Sequence, residues 1–143
     1  MAGSRANPQF NGEALRASLA THGIDYCHIA ALGGLRHRQR DAGPSPNGLW
    51  RNTSFRNYAD YAGTAAFRTG LEQLLALAHD RRTAIMCAEA VWWRCHRRII
   101  TDYLLAAHVP VGHIMGLGKV EAATLTPGAR VLGEDSVVYP APD

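Results

Sequence analysis

A chain of 143 residues with 47% hydrophobic content is about one ordinary domain, with enough apolar side chains to bury a core. No run reaches the roughly eighteen apolar residues of a membrane helix, and the opening MAGSRANPQF lacks the apolar stretch of a signal peptide, so a soluble cytosolic protein is expected. The net charge of +3 is carried almost wholly by Arg, with Lys119 the only lysine, and the three cysteines (Cys27, Cys87, Cys95) suit neither a disulfide framework nor a CxxC zinc pair.

Taken in chain order, EALRASLATH (13–22) places Leu15, Leu19 and His22 at helical spacing, with Gly23 as the stop. IDYCHI (24–29) is β-branched and aromatic and reads as a strand. From the Gly33–Gly34 pair to about Asn57 the chain is rich in Gly, Pro, Asn and Ser without sustained periodicity, the mark of a functional or disordered loop. Thr64 can cap AAFRTGLEQLLALAHD, where Phe67, Leu71, Leu74, Leu75 and Ala78 form an apolar stripe. RTAIMCA reads as a buried strand, WRCHRRIITDYLLAAH as a helix turning Ile99, Ile100, Tyr103, Leu104 and Ala107 inward, and VPVGHIM as another strand.

Strands alternating with helices predict one α/β domain over 1–143. It would be a three-layer, Rossmann-like fold with a mostly parallel sheet and a less regular tail over 116–143. Ligands of such sheets gather at the carboxyl ends of the strands, which is where MCAEAVWWRCHRRII (86–100) falls.

This segment poses a physical problem. A helix N-terminus already carries partial positive charge, yet Arg94, Arg97 and Arg98 stand there beside Cys95 and His96. A bound phosphate or carboxylate would resolve it, held by free amides with Arg97 or Arg94, and with His96 as donor or acid. Against this, Arg98 can simply pair with Asp102 four residues on, and His96 can be an ordinary core histidine. Cys95, its pKa lowered by the dipole and by Arg, is a candidate nucleophile, although a small buried hydrophobe reads as well. Glu89 suits a base or an electrostatic stabiliser, or an ion pair that orients the loop. Cys87 to Arg94 is one residue too long for the Cys-x5-Arg loop of a tyrosine phosphatase, so Cys87 reads as strand core. Cys27, His28, Cys87, Cys95, His96 and His113 are thinkable metal ligands, but no two have zinc spacing, and no metal or cofactor is expected.

Ten of the fourteen Arg fall in two groups, Arg36, Arg38, Arg40, Arg51 and Arg56, and Arg81, Arg82, Arg94, Arg97 and Arg98. Brought together they would suit phosphate or nucleic acid, while a solvated Arg-rich surface is the plain alternative. In LWRNTSFRNYADY, Trp50, Phe55 and Tyr58 interleave with Arg51 and Arg56 as in a base-stacking surface. Phe55, Tyr58 and Tyr61 at i, i+3 and i+6 are equally what a short core-facing helix shows.

The stretch CAEAVWWRCHR, with NPQFN, LGGLR, WRNTSFRNYADY and a later HI in the same order, resembles the domain-of-unknown-function family numbered 488, from about Ser4 to Ile114. The resemblance places the signature Cys-Ala-Glu and Cys-His-Arg on Cys87, Ala88, Glu89, Cys95, His96 and Arg97. Other motif positions fall on Asn7, Pro8, Gln9 and Phe10, on Gly33, Gly34 and Arg36, and on Trp50, Phe55, Tyr58 and Tyr61. It implies an α/β fold and a site, but no settled reaction. Relatives open with a strand–helix–strand unit before the NPQF segment, and this chain starts just after it. An unpaired strand edge and a homodimer are therefore expected. Trp92 stands where many relatives have Pro.

Two functions follow as expectations. One is an enzyme on nucleotides or nucleic-acid bases, a glycosylase-like hydrolase, with Glu89, His96 and Cys95 in the chemistry. Arg97, Arg94, Arg36, Gly33, Gly34, Arg56, Trp50 and Tyr58 would then bind the phosphate-bearing ligand. The other is a non-enzymatic module that holds an anion or nucleic acid on the same surface.

Overall fold

A computed structural model describes residues 8–38, 43–89, 91–133 and 135–143. The chain divides into an N-terminal unit, 1–30, and a larger unit, 31–143. In the first, a 3-10 turn (Pro8–Phe10) leads into α1 (Gly12–Ala20), and the Arg16 guanidinium lies 5.3 Å from the Tyr26 ring centroid. The α1 helix matches the sequence expectation to within two residues at its C-terminus. IDYCHI, however, forms no strand.

The larger unit is built on three helices, α2 (Thr53–Ala62), α3 (Ala65–Asp80) and α4 (Arg97–Ala106). Asn52 starts α2 by accepting the Ser54 and Phe55 amides on its side chain. Thr64 caps α3 through the Phe67 amide at 3.4 Å, as its sequence predicts. Their buried faces meet: Tyr58 from α2, Phe67, Leu71 and Leu74 from α3, and Ile99, Ile100, Tyr103 and Leu104 from α4 form the core. The rings interlock edge to face, Phe67 against Tyr58 at 6.0 Å and against Tyr103 at 4.9 Å.

The α4 helix is shorter at both ends than its periodicity suggests. Trp92–Arg94 form a 3-10 turn and Cys95 is extended (φ −122, ψ 151), so the helix opens only at Arg97. His108 adopts a left-handed conformation (φ 62) and ends it, with the Val109 amide reaching back to the Leu104 carbonyl.

The expected Rossmann-like, mostly parallel sheet is corrected. Among the described residues there are two small antiparallel sheets of two strands each, β1 (Gly112–Gly116) with β2 (Lys119–Ala122), and β3 (Arg130–Val131) with β4 (Val137–Val138). VPVGHIM does yield β1, but Gly118 (φ 69) turns the chain straight back on itself, so β1 pairs with its successor and not with an earlier strand. RTAIMCA belongs to neither sheet. Apolar periodicity marks a segment as extended without saying what it pairs with, which is how the parallel reading arose.

The tail read as less regular completes the core. Tyr139 is wholly buried, its amide donates to Asn47 Oδ1 at 3.0 Å and its carbonyl accepts the Leu49 amide at 3.0 Å. Asn47 in turn donates to Asp60 Oδ1 on α2 at 2.7 Å. Part of the long Gly/Pro/Asn/Ser stretch is thus fixed in place by the C-terminal residues and α2.

Candidate functional site

The extended residue Cys95 sits just before α4, and its geometry there answers the charge problem at the helix start. Cys95 Sγ accepts the Arg97 backbone N–H at 3.3 Å and Arg97 Nε–H at 3.4 Å, while His96 Nδ1 lies 3.5 Å away. Arg97 also donates through Nη2 to the Glu89 carbonyl at 2.6 Å, which ties the 87–89 segment to the helix start. Cys87 lies close by: its thiol donates to the Glu89 carbonyl at 3.6 Å and its sulfur accepts the Glu89 amide at 3.3 Å. The sulfur and nitrogen donor atoms of Cys87, Cys95 and His96 all lie within 4.8 Å of one another.

The two thiols shift in opposite directions. The hydrogen bond from Cys87 holds the Cys95 pKa far below the ordinary thiol value, against the opposing effect of burial, with His96 and Arg97 adding to the depression. The same hydrogen bond, with burial, pushes Cys87 up. Arg97 at the start of α4 thus already has an acceptor within the chain, the Cys95 sulfur. The remaining first-turn amides point to the chain's own carbonyls, Arg98 to Cys95 and Ile99 and Ile100 to His96.

The sequence-derived candidates separate into groups. Cys95, His96 and Arg97 come together as described, and Glu89, an exposed residue, joins them through its backbone carbonyl. Gly34 joins them, because its missing side chain leaves the space that the His96 ring fills. Arg36 turns elsewhere: it donates from Nε to the Gly33 carbonyl at 3.1 Å and lays its guanidinium 3.8 Å from the Tyr61 ring centroid. Arg94 is exposed on the 3-10 turn and Arg56 half-buried on α2. Tyr58 is 1% exposed, donates to the Leu32 carbonyl at 2.8 Å and packs 5.1 Å from the His96 ring, so it supports the site from below as a core residue. Trp50 stacks on Phe55 at 4.9 Å, with Arg98 over its ring at 5.1 Å.

The expected Arg98–Asp102 surface pair is corrected. Asp102 is buried and accepts the Thr126 amide at 2.9 Å and the Tyr139 hydroxyl at 2.7 Å. Arg98 donates to Thr126 Oγ1 at 3.2 Å. Of the other thinkable metal ligands, His113 stacks on Trp92, rings parallel at 4.0 Å, and Cys27 and His28 lie in the N-terminal unit.

Periodicity assigned Cys87 to strand core, whereas it lies beside Cys95 and His96, residues with which the family signature and the set of thinkable metal ligands already grouped it. A hollow of about 560 Å³ is a separate feature, lined by Arg36, His37, Arg38, Asn57, Asp60 and Tyr61 among others.

No significant match to a curated protein or to a solved structure was found. The family model described as domain of unknown function DUF488 matches residues 1–104, and the chain belongs to that family.

Proposed function

We propose that the protein is an enzyme that uses the Cys95 thiolate as a nucleophile on a phosphate-bearing, nucleotide-type ligand. The carrying observation is the set of groups that converge on Cys95 Sγ: the Arg97 amide and guanidinium as donors, with the His96 ring 3.5 Å away. The reaction class is hydrolysis through a covalent intermediate. The thiolate forms a bond to the electrophilic atom, the leaving group departs with a proton from His96, and water then releases the product and regenerates the thiolate. Glu89 is the carboxylate closest in sequence to take the proton from that water. The Arg-rich composition, net charge +3, supports an anionic ligand.

The test is alkylation of reduced, chelator-treated protein with iodoacetamide near neutral pH, read by peptide mapping, followed by a panel of nucleotides with wild type and Cys95→Ser. Cys95 should react well ahead of Cys87, and Cys95→Ser should abolish turnover. Equal reaction of Cys87 and Cys95, or unchanged turnover in Cys95→Ser, would overturn the proposal. The hollow beside Arg36 and Arg38 favours a second reading, an anion-binding module without chemistry. Binding of inorganic phosphate that is lost in Arg36→Ala, with no turnover on any nucleotide, would support it.

A further inference from the structure

The same corner of the fold carries a second capacity that does not depend on Cys95 being a nucleophile. Cys87, Cys95 and His96 offer two sulfurs and one imidazole nitrogen within 4.8 Å of one another. Zinc bound at about 2.3 Å to sulfur and about 2.0 Å to nitrogen in a tetrahedron sets sulfur–nitrogen edges of about 3.5 Å. The Cys95 Sγ to His96 Nδ1 separation is 3.5 Å, so this edge is already at the length a metal requires. Cys95 is 4% exposed, and Arg97 holds its sulfur with two hydrogen bonds, which fixes the donor before any ion arrives.

We propose that Cys87, Cys95 and His96 form a binding site for a thiophilic divalent cation of the zinc class, with the fourth coordination position open to water or ligand. Soft sulfur donors select zinc over magnesium or calcium, which take oxygen ligands. Binding needs both cysteines as thiolates and releases whatever protons they carry, because only the thiolate ligates. The site escapes any sequence motif: Cys95 and His96 are adjacent and Cys87 is eight residues back, unlike the two- to four-residue spacing of zinc ribbons and fingers. A metal held on Cys95 also withdraws the lone pair needed for nucleophilic attack, so zinc suppresses its alkylation.

The experiment is titration of reduced, chelator-treated protein with Co2+, monitored for the sulfur-to-cobalt charge-transfer band in the near ultraviolet. One equivalent should saturate the band, Zn2+ should displace it and Mg2+ should leave it unchanged. Cys87→Ser, Cys95→Ser and His96→Ala should each weaken binding at least about tenfold. In the wild-type protein, which needs no variant to fold, Zn2+ should protect Cys87 and Cys95 from iodoacetamide and leave Cys27 reactive. Absence of the band, its persistence in Cys87→Ser or Cys95→Ser, or equal labelling of all three cysteines with Zn2+ present would overturn the site. The catalytic proposal is decided separately, by the reactivity of Cys95 in metal-free protein.

Discussion

Gly34 lies against the His96 imidazole so closely that a Cβ at position 34 would overlap Nδ1 and Cε1 of the ring. The ring has little room to retreat, since Tyr58 packs on it at 5.1 Å and is itself tied to the Leu32 carbonyl. Gly34→Ala should therefore push the imidazole off its position beside Cys95. Overpacking of this kind costs about 1–3 kcal/mol. Urea unfolding should show a lowered midpoint and the His96 ring-proton resonances should shift. If both are unchanged, the close approach does not exist in solution.

Arg97 and Arg98 are neighbours with different work, and alanine substitution should separate them. Arg97→Ala removes the Nε–H bond to Cys95 Sγ, worth about 1 kcal/mol, and the Nη2–H bond to the Glu89 carbonyl, and should move the pH midpoint of Cys95 alkylation upward while leaving its rate at neutral pH nearly unchanged. Arg98→Ala removes the bond to Thr126 Oγ1 and the cover over Trp50, and should lower stability by about 1–2 kcal/mol while Cys95 reacts as before. Identical effects of the two variants on both readouts would show that the two side chains act only as general positive charge.

The difference between these two arginines illustrates what the sequence makes legible. The amphipathic stripe and Thr64 cap specify α3 locally, and the inward set of α4 is correct at Ile99, Ile100, Tyr103 and Leu104. The cluster of Cys95, His96 and Arg97 stood out in the sequence because cations at a helix start demand an explanation, and an acceptor for Arg97 within the chain, the Cys95 sulfur, was not foreseen. What local pattern cannot carry is long-range pairing. Asp102 meets Tyr139 across 37 residues and Asn47 meets Tyr139 across 92, and neither relation leaves a trace in spacing. The parallel sheet failed for the same reason, because strand partners are tertiary choices.

Burial raises the Asp102 pKa above the ordinary value of 3.8, with the Thr126 and Tyr139 hydrogen bonds opposing it. A carboxyl whose folded pKa is raised contributes stability that is complete below the unfolded value and is lost as pH rises through the folded one. The unfolding free energy of wild type minus that of Asp102→Asn should therefore fall as pH increases from about 3.8, and then level off. A difference that grows with pH would reverse the assignment.

Tyr139→Phe deletes the 2.7 Å hydroxyl bond to Asp102 Oδ2 without changing the shape of the ring. A buried carboxylate deprived of one donor costs about 1–3 kcal/mol, so chemical denaturation near neutral pH should show a loss of that size. Because that hydrogen bond lowers the Asp102 pKa, the variant should also retain the proton to higher pH, moving the fall in stability upward. In Asp102→Asn the same Tyr139→Phe change should cost less, since no charge is then left unsatisfied. An equal loss in both backgrounds would mean that Tyr139 acts through packing alone.

Hydrogen exchange separates this fold from the parallel sheet that the sequence suggests. In a doubly wound sheet, RTAIMCA would be a central strand, its amides among the slowest to exchange. In the structure residues 83–87 lie outside both small sheets, and Thr83, Ala84 and Met86 are exposed. The α4 amides are bonded within a helix whose Ile99, Ile100 and Tyr103 are at most 3% exposed. Local opening free energy follows burial and hydrogen bonding, so amides 83–87 should exchange at least about a hundredfold faster than those of 100–105. Hydrogen–deuterium exchange read by mass spectrometry over seconds to hours makes the comparison. Equal protection of the two segments would mean that 83–87 is paired in a sheet, and would return the parallel arrangement to consideration.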